Sequence, residues 1–116
     1  TSKIITATRD MTAASGDVAY TGVGFTPTGM DAIACIYSYF PYSVGFGDSA
    51  KGSGCIVTIS TTETAPSAAL IFMGYADINN SQAATIKSYD ADGFTLTWTK
   101  IAAPTGTATI YFKCFR

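Results

Sequence analysis

The chain has 116 residues, of which 47% are hydrophobic, 13% aromatic and only 13% charged, with a formal net charge of −1. Its basic residues, Lys3, Arg9, Lys51, Lys87, Lys100, Lys113 and Arg116, stand singly, so no basic stretch collects phosphates and nucleic-acid binding is not expected. No apolar run approaches the roughly 20 residues of a membrane span, no secretory leader is evident, and the length suits one domain with one core.

Short runs of period-two alternation broken by Gly, Pro, Asp and Asn predict strands, in chain order, over 3–9, 17–23, 30–39, 42–47, 55–61, 69–75, 84–89, 94–99 and 108–115. About eight to nine short strands in this pattern specify an all-β fold, an antiparallel β-sandwich forming a single domain over 1–116. Turns are expected at 26–29 and 103–106, where Pro-x-Gly spacing occurs, and a flexible Gly/Ser loop over 49–54. Residues 76–83 alone could hold a short helical turn. Asp90-Ala91-Asp92-Gly93 closes a hairpin, because Asp side chains cap nearby amides and Gly accepts positive φ.

Two strands fix the facing. In 94–99, Phe94, Leu96 and Trp98 share one face and three threonines the other, so the strand is half buried, with Trp98 in the core. In 108–115, Ala108, Ile110, Phe112 and Cys114 face the core, while Thr109, Tyr111, Lys113 and Phe115 lie opposite. Tyr111 and Phe115 make that second face partly apolar, which suggests contact with another chain or sheet.

The charged fraction is about half the average for soluble proteins. Ser and Thr can carry the solvation, and further copies of the chain can cover part of the surface, as in obligate oligomers. Both are expected here, so the chain is read as a homo-oligomer. A small residue at position 1 is what remains after an initiator Met is removed, so the chain is read as a complete short protein.

Histidine is absent, which removes the commonest general base and the commonest zinc ligand. The lone Glu, Glu63, lies in a Thr-rich stretch that reads as an exposed loop, and the Asp residues fall mainly at strand ends and turns. No enzymatic activity, metal or cofactor is expected. Asp90 and Asp92 resemble a fragment of a calcium loop, but the other ligands are missing and a hairpin turn explains them better. Cys35, Cys55 and Cys114 are odd in number and lie in apolar runs, which fits small buried core residues in a reducing compartment, a disulfide between two of them being the alternative.

Tyr37-Ser38-Tyr39-Phe40-Pro41-Tyr42 gathers four aromatics around a strand-breaking Pro. Exposed, Tyr37, Tyr39, Phe40 and Tyr42 would fill a partner's pocket or stack on sugar faces. Buried, they would close one end of the sandwich. With Tyr111 and Phe115 they form the candidate interface or binding residues.

Thr21-Gly22-Val23-Gly24-Phe25-Thr26-Pro27 ahead of an apolar strand, Ser43-Val44-Gly45-Phe46-Gly47-Asp48, and Ser88-Tyr89-Asp90-Ala91-Asp92-Gly93-Phe94-Thr95-Leu96-Thr97-Trp98 ahead of the last strand follow one another in this order. The order resembles small β-sandwich modules of tailed-bacteriophage virion proteins and spans most of the chain. That resemblance implies a virion component, commonly trimeric, assembled in the host cytoplasm, with itself and a phage capsid or tail protein as partners. A chain this short has no room for a fibre shaft, which favours decoration of the capsid. The last stretch is also similar to the end of H-type lectin domains, where a Gly-Phe-x-x-x-Trp strand precedes a final hydrophobic strand. That likeness implies a carbohydrate-binding or receptor-binding module of a tail fibre or tail tip, with a host surface glycan as ligand, and no ligand residues carry over from it.

Overall fold

In the computed structural model, which describes residues 1–37, 41–58, 64–74 and 79–116, each of the alternating runs contains a strand, although 22–23, 37 and 69–70 lie outside the strands. The strands are β1 (Ser2–Asp10), β2 (Gly16–Thr21), β3 (Gly29–Ile36), β4 (Tyr42–Gly47), β5 (Ser53–Thr58), β6 (Thr64–Ser67), β7 (Ile71–Gly74), β8 (Ser81–Asp90), β9 (Gly93–Ile101) and β10 (Thr107–Phe115). They form two antiparallel sheets. One has six strands in the order β1-β10-β3-β4-β5-β6, and the other has four in the order β2-β9-β8-β7. The chain therefore changes sheet between β1 and β2, and β10 returns to lie between β1 and β3.

The two sheets bury their inner faces against each other, as a sandwich does. Phe94, Leu96 and Trp98 of β9 and Ile110 and Phe112 of β10 are fully buried, and Met30, Ala32, Ala34 and Ile36 line the inner side of β3. Tyr20, Phe94 and Phe112 form the aromatic centre, with ring centroids 4.8 to 5.2 Å apart. The Trp98 indole N–H donates to the Tyr20 hydroxyl at 3.0 Å. Its polar atom is thus partnered inside an otherwise apolar layer.

The corner where β1 leaves for β2 is fastened by a fully buried amide. Gln82 Nε2 donates to the carbonyls of Met11 (2.9 Å) and Ala13 (3.0 Å), and its Oε1 accepts from Arg9 Nε at 3.1 Å. The Arg9 guanidinium in turn lies 5.0 Å above the Trp98 ring, a cation–π contact. One cluster therefore ties the sheet-crossing segment to both β8 and β9.

The hairpin at 90–93 forms, but not by the chemistry expected of its residues: Gly93 is not at positive φ, and glycine is needed there because a Cβ would stand 1.9 Å from the Tyr20 carbonyl oxygen. Asp90 accepts from the hydroxyls of Ser88 and Thr95, both at 2.7 Å. Asp92 reaches instead to the loop after β2, accepting from Gly22 N (3.1 Å) and Gly24 N (2.6 Å), two glycines held at positive φ. The two carboxylates are turned to separate partners, in keeping with a turn.

The structure departs from the sequence reading at several places. β6 was not foreseen, because Pro66 argues against a strand; proline lacks an N–H and is confined to sheet edges, and β6 is an edge strand. Residues 81–83, expected in a helical turn, open β8, while 76–78 of that segment lie outside the described residues. The ends of three predicted strands, 38–39, 59–61 and 75, also lie outside them. Gly/Ser-rich 49–54 is a tight connection, not a loose one. Asp48 Oδ1 accepts from Ala50 N (3.0 Å) and Gly52 N (2.8 Å), and β5 starts at Ser53.

Trp98→Ala removes the largest fully buried side chain, together with the surface on which Arg9 rests. Urea denaturation should show a loss of about 3–5 kcal/mol. A loss below about 1 kcal/mol would mean that Trp98 does not organise the core.

Candidate interaction surface

In a sandwich whose inner faces are apolar, the outer faces are expected to be polar. The four-stranded sheet largely obeys this, apart from Ile101 at the end of β9, which is 48% exposed. Its outer side carries Asp17, Thr85, Lys87, Thr95, Thr97 and Thr99, with Asp17 paired to Lys87 and accepting from the Thr97 hydroxyl at 2.7 Å. Lys87 first, and Thr97 second, hold the Asp17 carboxyl below its ordinary range.

The six-stranded sheet does not obey it. Its cross-strand register aligns Thr6, Tyr111, Ile33, Val44, Ile56 and Pro66 in one row running across all six strands. The next row holds Ile4, Lys113, Asp31, Phe46 and Gly54, and on the other side lies a row of Thr8, Thr109, Cys35 and Tyr42. All of these point away from the core. Phe46 is 65% exposed, Ile56 56%, Ile33 52% and Tyr111 51%. The result is a continuous apolar face, in which a hollow of about 310 Å³ beside Gly54 is walled by Val44, Phe46, Ile56 and Pro66.

β4 shows why sequence reasoning missed most of this surface. Tyr42, Val44 and Phe46 alternate with Ser43, Gly45 and Gly47, a pattern that normally sends the large residues inward. Here the small residues face inward. A Cβ at Gly45 would stand 2.0 Å from the Leu70 carbonyl oxygen and 2.8 Å from Cys55 Cβ, and one at Gly47 would stand 2.2 Å from Ile86 Cδ1. Ser43, fully buried, accepts at its hydroxyl from Phe72 N at 3.2 Å. The opposing chain comes too close to admit a larger residue, so the large side chains of β4 have only the outer side.

Of the residues singled out in the sequence, Tyr42 and Tyr111 lie on this outer face, half exposed. Phe115 lies at its end, partly buried, with the Lys113 ammonium 5.6 Å from its ring. Tyr37 occupies the turn after β3 and is 88% exposed, so the core-closing reading fails for Tyr37 and Tyr42. Tyr39 and Phe40 lie outside the described residues. Ile4, Ile33, Val44, Phe46 and Ile56 were not foreseen, although their period-two spacing carries the signal once the phase of the alternation is known. Among the cysteines, Cys55 and Cys114 are buried, but Cys35 is exposed. β3 sends its even-numbered residues inward, which places Cys35 on the outer face.

The turn that presents Phe46 is anchored to the other sheet by Tyr89, whose hydroxyl donates to the Asp48 carbonyl at 2.7 Å. No protein-family model matches the chain, and no curated protein or solved structure matches it either. Among the described residues there is no helix long and apolar enough to cross a membrane.

Two measurements check this geometry. In dilute native protein one thiol per chain, Cys35, should react promptly with a maleimide. Cys55 and Cys114 should react only on unfolding, the Cys114 thiol being pushed up to about 11 by burial. Prompt reaction at all three would contradict the assigned facing of β3 and β10. The Tyr89 phenol is pushed from 10.0 up to about 12, by burial first and by the Asp48 charge second. A raised folded value means that the neutral phenol's contribution is complete below pH 10 and is lost as pH rises toward 12. The melting temperature should fall more steeply over that interval in the wild type than in Tyr89→Phe; parallel profiles would leave the phenol without this role.

Proposed function

We propose that the chain is a non-catalytic structural protein of a tailed-phage virion, built into a repeating protein assembly through the outer face of its six-stranded sheet. The observation that carries this reading is the apolar row Tyr111-Ile33-Val44-Ile56-Pro66 on a face that the chain's own core leaves open. Large contiguous apolar patches on soluble proteins mark sites that another surface covers. The low charge and the aromatic side chains of this face suit a covered surface, since interface cores are depleted in charge and enriched in aromatics. The phage setting, and the trimer expected with it, rest on the order of motifs around 21–27, 43–48 and 88–98, and so does the preference for capsid decoration.

A second reading, a carbohydrate-binding module of a tail fibre or tail tip, draws on the rings of Tyr37 and Tyr42, which stand exposed beside one end of the same sheet. Apolar sugar faces stack on such rings.

The test is co-sedimentation of the purified chain with phage particles from the organism that carries its gene, alongside the double variant Val44→Lys/Ile56→Lys. The wild type should pellet with the particles at high copy number, and the variant should remain in the supernatant with its melting temperature nearly unchanged. Absence of the wild type from every particle fraction would overturn the virion reading. Specific hits on a glycan array at tens of micromolar protein would favour the second one.

A further inference from the structure

The exposed face of the six-stranded sheet has a size and a charge pattern that select its occupant. Six strands spaced about 4.8 Å apart, each six to nine residues long over most of the sheet, make a face roughly 24 Å wide and 20–30 Å long. Its plan area of roughly 500–700 Å² is of the order of the ~800 Å² that each partner contributes to a standard interface. A short peptide would leave most of it in water, whereas a second sheet packed face to face would cover the greater part of it.

Among the described residues, the charges on the inner strands of this face are Asp31 and Lys113. They are direct cross-strand partners in β3 and β10, both exposed, yet they form no ion pair with each other. Asp31 makes no side-chain hydrogen bond among the described residues, and the Lys113 ammonium rests near the Phe115 ring. Asp10, at the far end of the same face, is already engaged by the amide and hydroxyl of Thr12. One positive and one negative group side by side are complementary to a reversed copy of the same pair, and a partner of one charge sign would satisfy only one of the two.

We infer that the surface covering this face is the same face of another copy of the chain, with Tyr111 and Ile33 at the centre of the contact, Val44 beside them, and Lys113 of one copy against Asp31 of the other. This rests on the reading of the face as the protein's working surface, and it names the partner. It accounts for both features of the face: the apolar rows supply the contact, and the paired charges fix its direction, since copies placed in parallel would set like charges together.

The test uses the full chain in three forms, wild type, Asp31→Lys and Lys113→Asp, with mass measured by light scattering from 1 to 100 µM. The wild type should be oligomeric. Each variant alone, bearing two like charges on the face, should self-associate at least tenfold more weakly, and an equimolar mixture of the two should recover association to within a few-fold of the wild type. Only a pair formed between chains gives that recovery. If both variants are weakened and the mixture does not recover, the charges act within one chain and the inference fails. If the wild type is oligomeric and both variants match it, copies meet at another surface and the inference fails. Val44→Lys should dissociate the oligomer with an unchanged circular dichroism spectrum, and its persistence as an oligomer would overturn the inference by a route independent of charge. A wild type that is monomeric at 100 µM but pellets with phage particles would overturn self-association while leaving the virion role intact.

Discussion

The close approach of β4 to the segment over 70–72 is the constraint on which the outer surface depends. It admits a hydroxymethyl group at position 43 and no side chain at position 45, where a Cβ would lie 2.0 Å from the Leu70 carbonyl oxygen. Because successive side chains of a strand alternate between faces, this decides the fate of Tyr42, Val44 and Phe46 as well: they can only point outward. Strand propensity alone does not account for large apolar residues there. Threonine is as well suited to a pleated, half-exposed surface, and the same molecule uses threonine at the equivalent outer positions 85, 95, 97 and 99. The two sheets thus act as controls for each other, and the apolar exterior of one is a property that the monomer's own packing does not require.

The polar groups that fasten the fold leave this exterior free. Gln82 and Arg9 hold the corner between β1 and β2, Asp92 holds the loop over 22–24, and Asp48 holds the turn after β4. These are bonds of side chains to backbone groups at crossings and turns, where amides and carbonyls lack a strand partner and would otherwise be left unsatisfied. In the centre of the six-stranded sheet the ladder satisfies the backbone without help. Outward side chains there carry no structural duty, so their identity is open to selection by whatever covers them.

The all-β fold was legible because most strands keep strict alternation and because turn residues stand between them. Phe94, Leu96, Trp98, Ala108, Ile110 and Phe112 could be assigned to the core, since each shares its face only with other apolar residues. β4 was legible as a strand but not in phase: alternation reports that two faces differ, and only the proximity of Leu70 and Ile86 reports which one is inside. The same ambiguity hid the exposure of Cys35, an apolar residue in an apolar run whose position is settled by parity with Met30 and Ile36. Tyr111 was read correctly as outward because its strand had an unambiguous inner face. β6 was invisible because its one diagnostic residue, Pro66, excludes a central strand and does not announce an edge. The aromatic cluster at 37–42 lay between two readings because burial of a ring at a turn depends on contacts distant in sequence.

The two faces together give the molecule a direction. One side of the sandwich presents threonines with the Asp17–Lys87 pair, a surface that remains hydrated at little free-energy cost; the other presents rings and branched aliphatics that gain by leaving water. A chain with this polarity, once covered on its apolar side, has its opposite sheet fixed outward, and every copy in an assembly is then oriented alike relative to its neighbours. Sparse charge is consistent with that arrangement. A freely tumbling monomer needs solubility on all sides, whereas a chain that always turns one face to a partner needs charged groups only on the side that stays wet and, on the covered side, only enough to set the direction of contact. Asp31 and Lys113 stand side by side on the apolar side, and among the described residues the other charged groups lie at edges, turns and the opposite sheet.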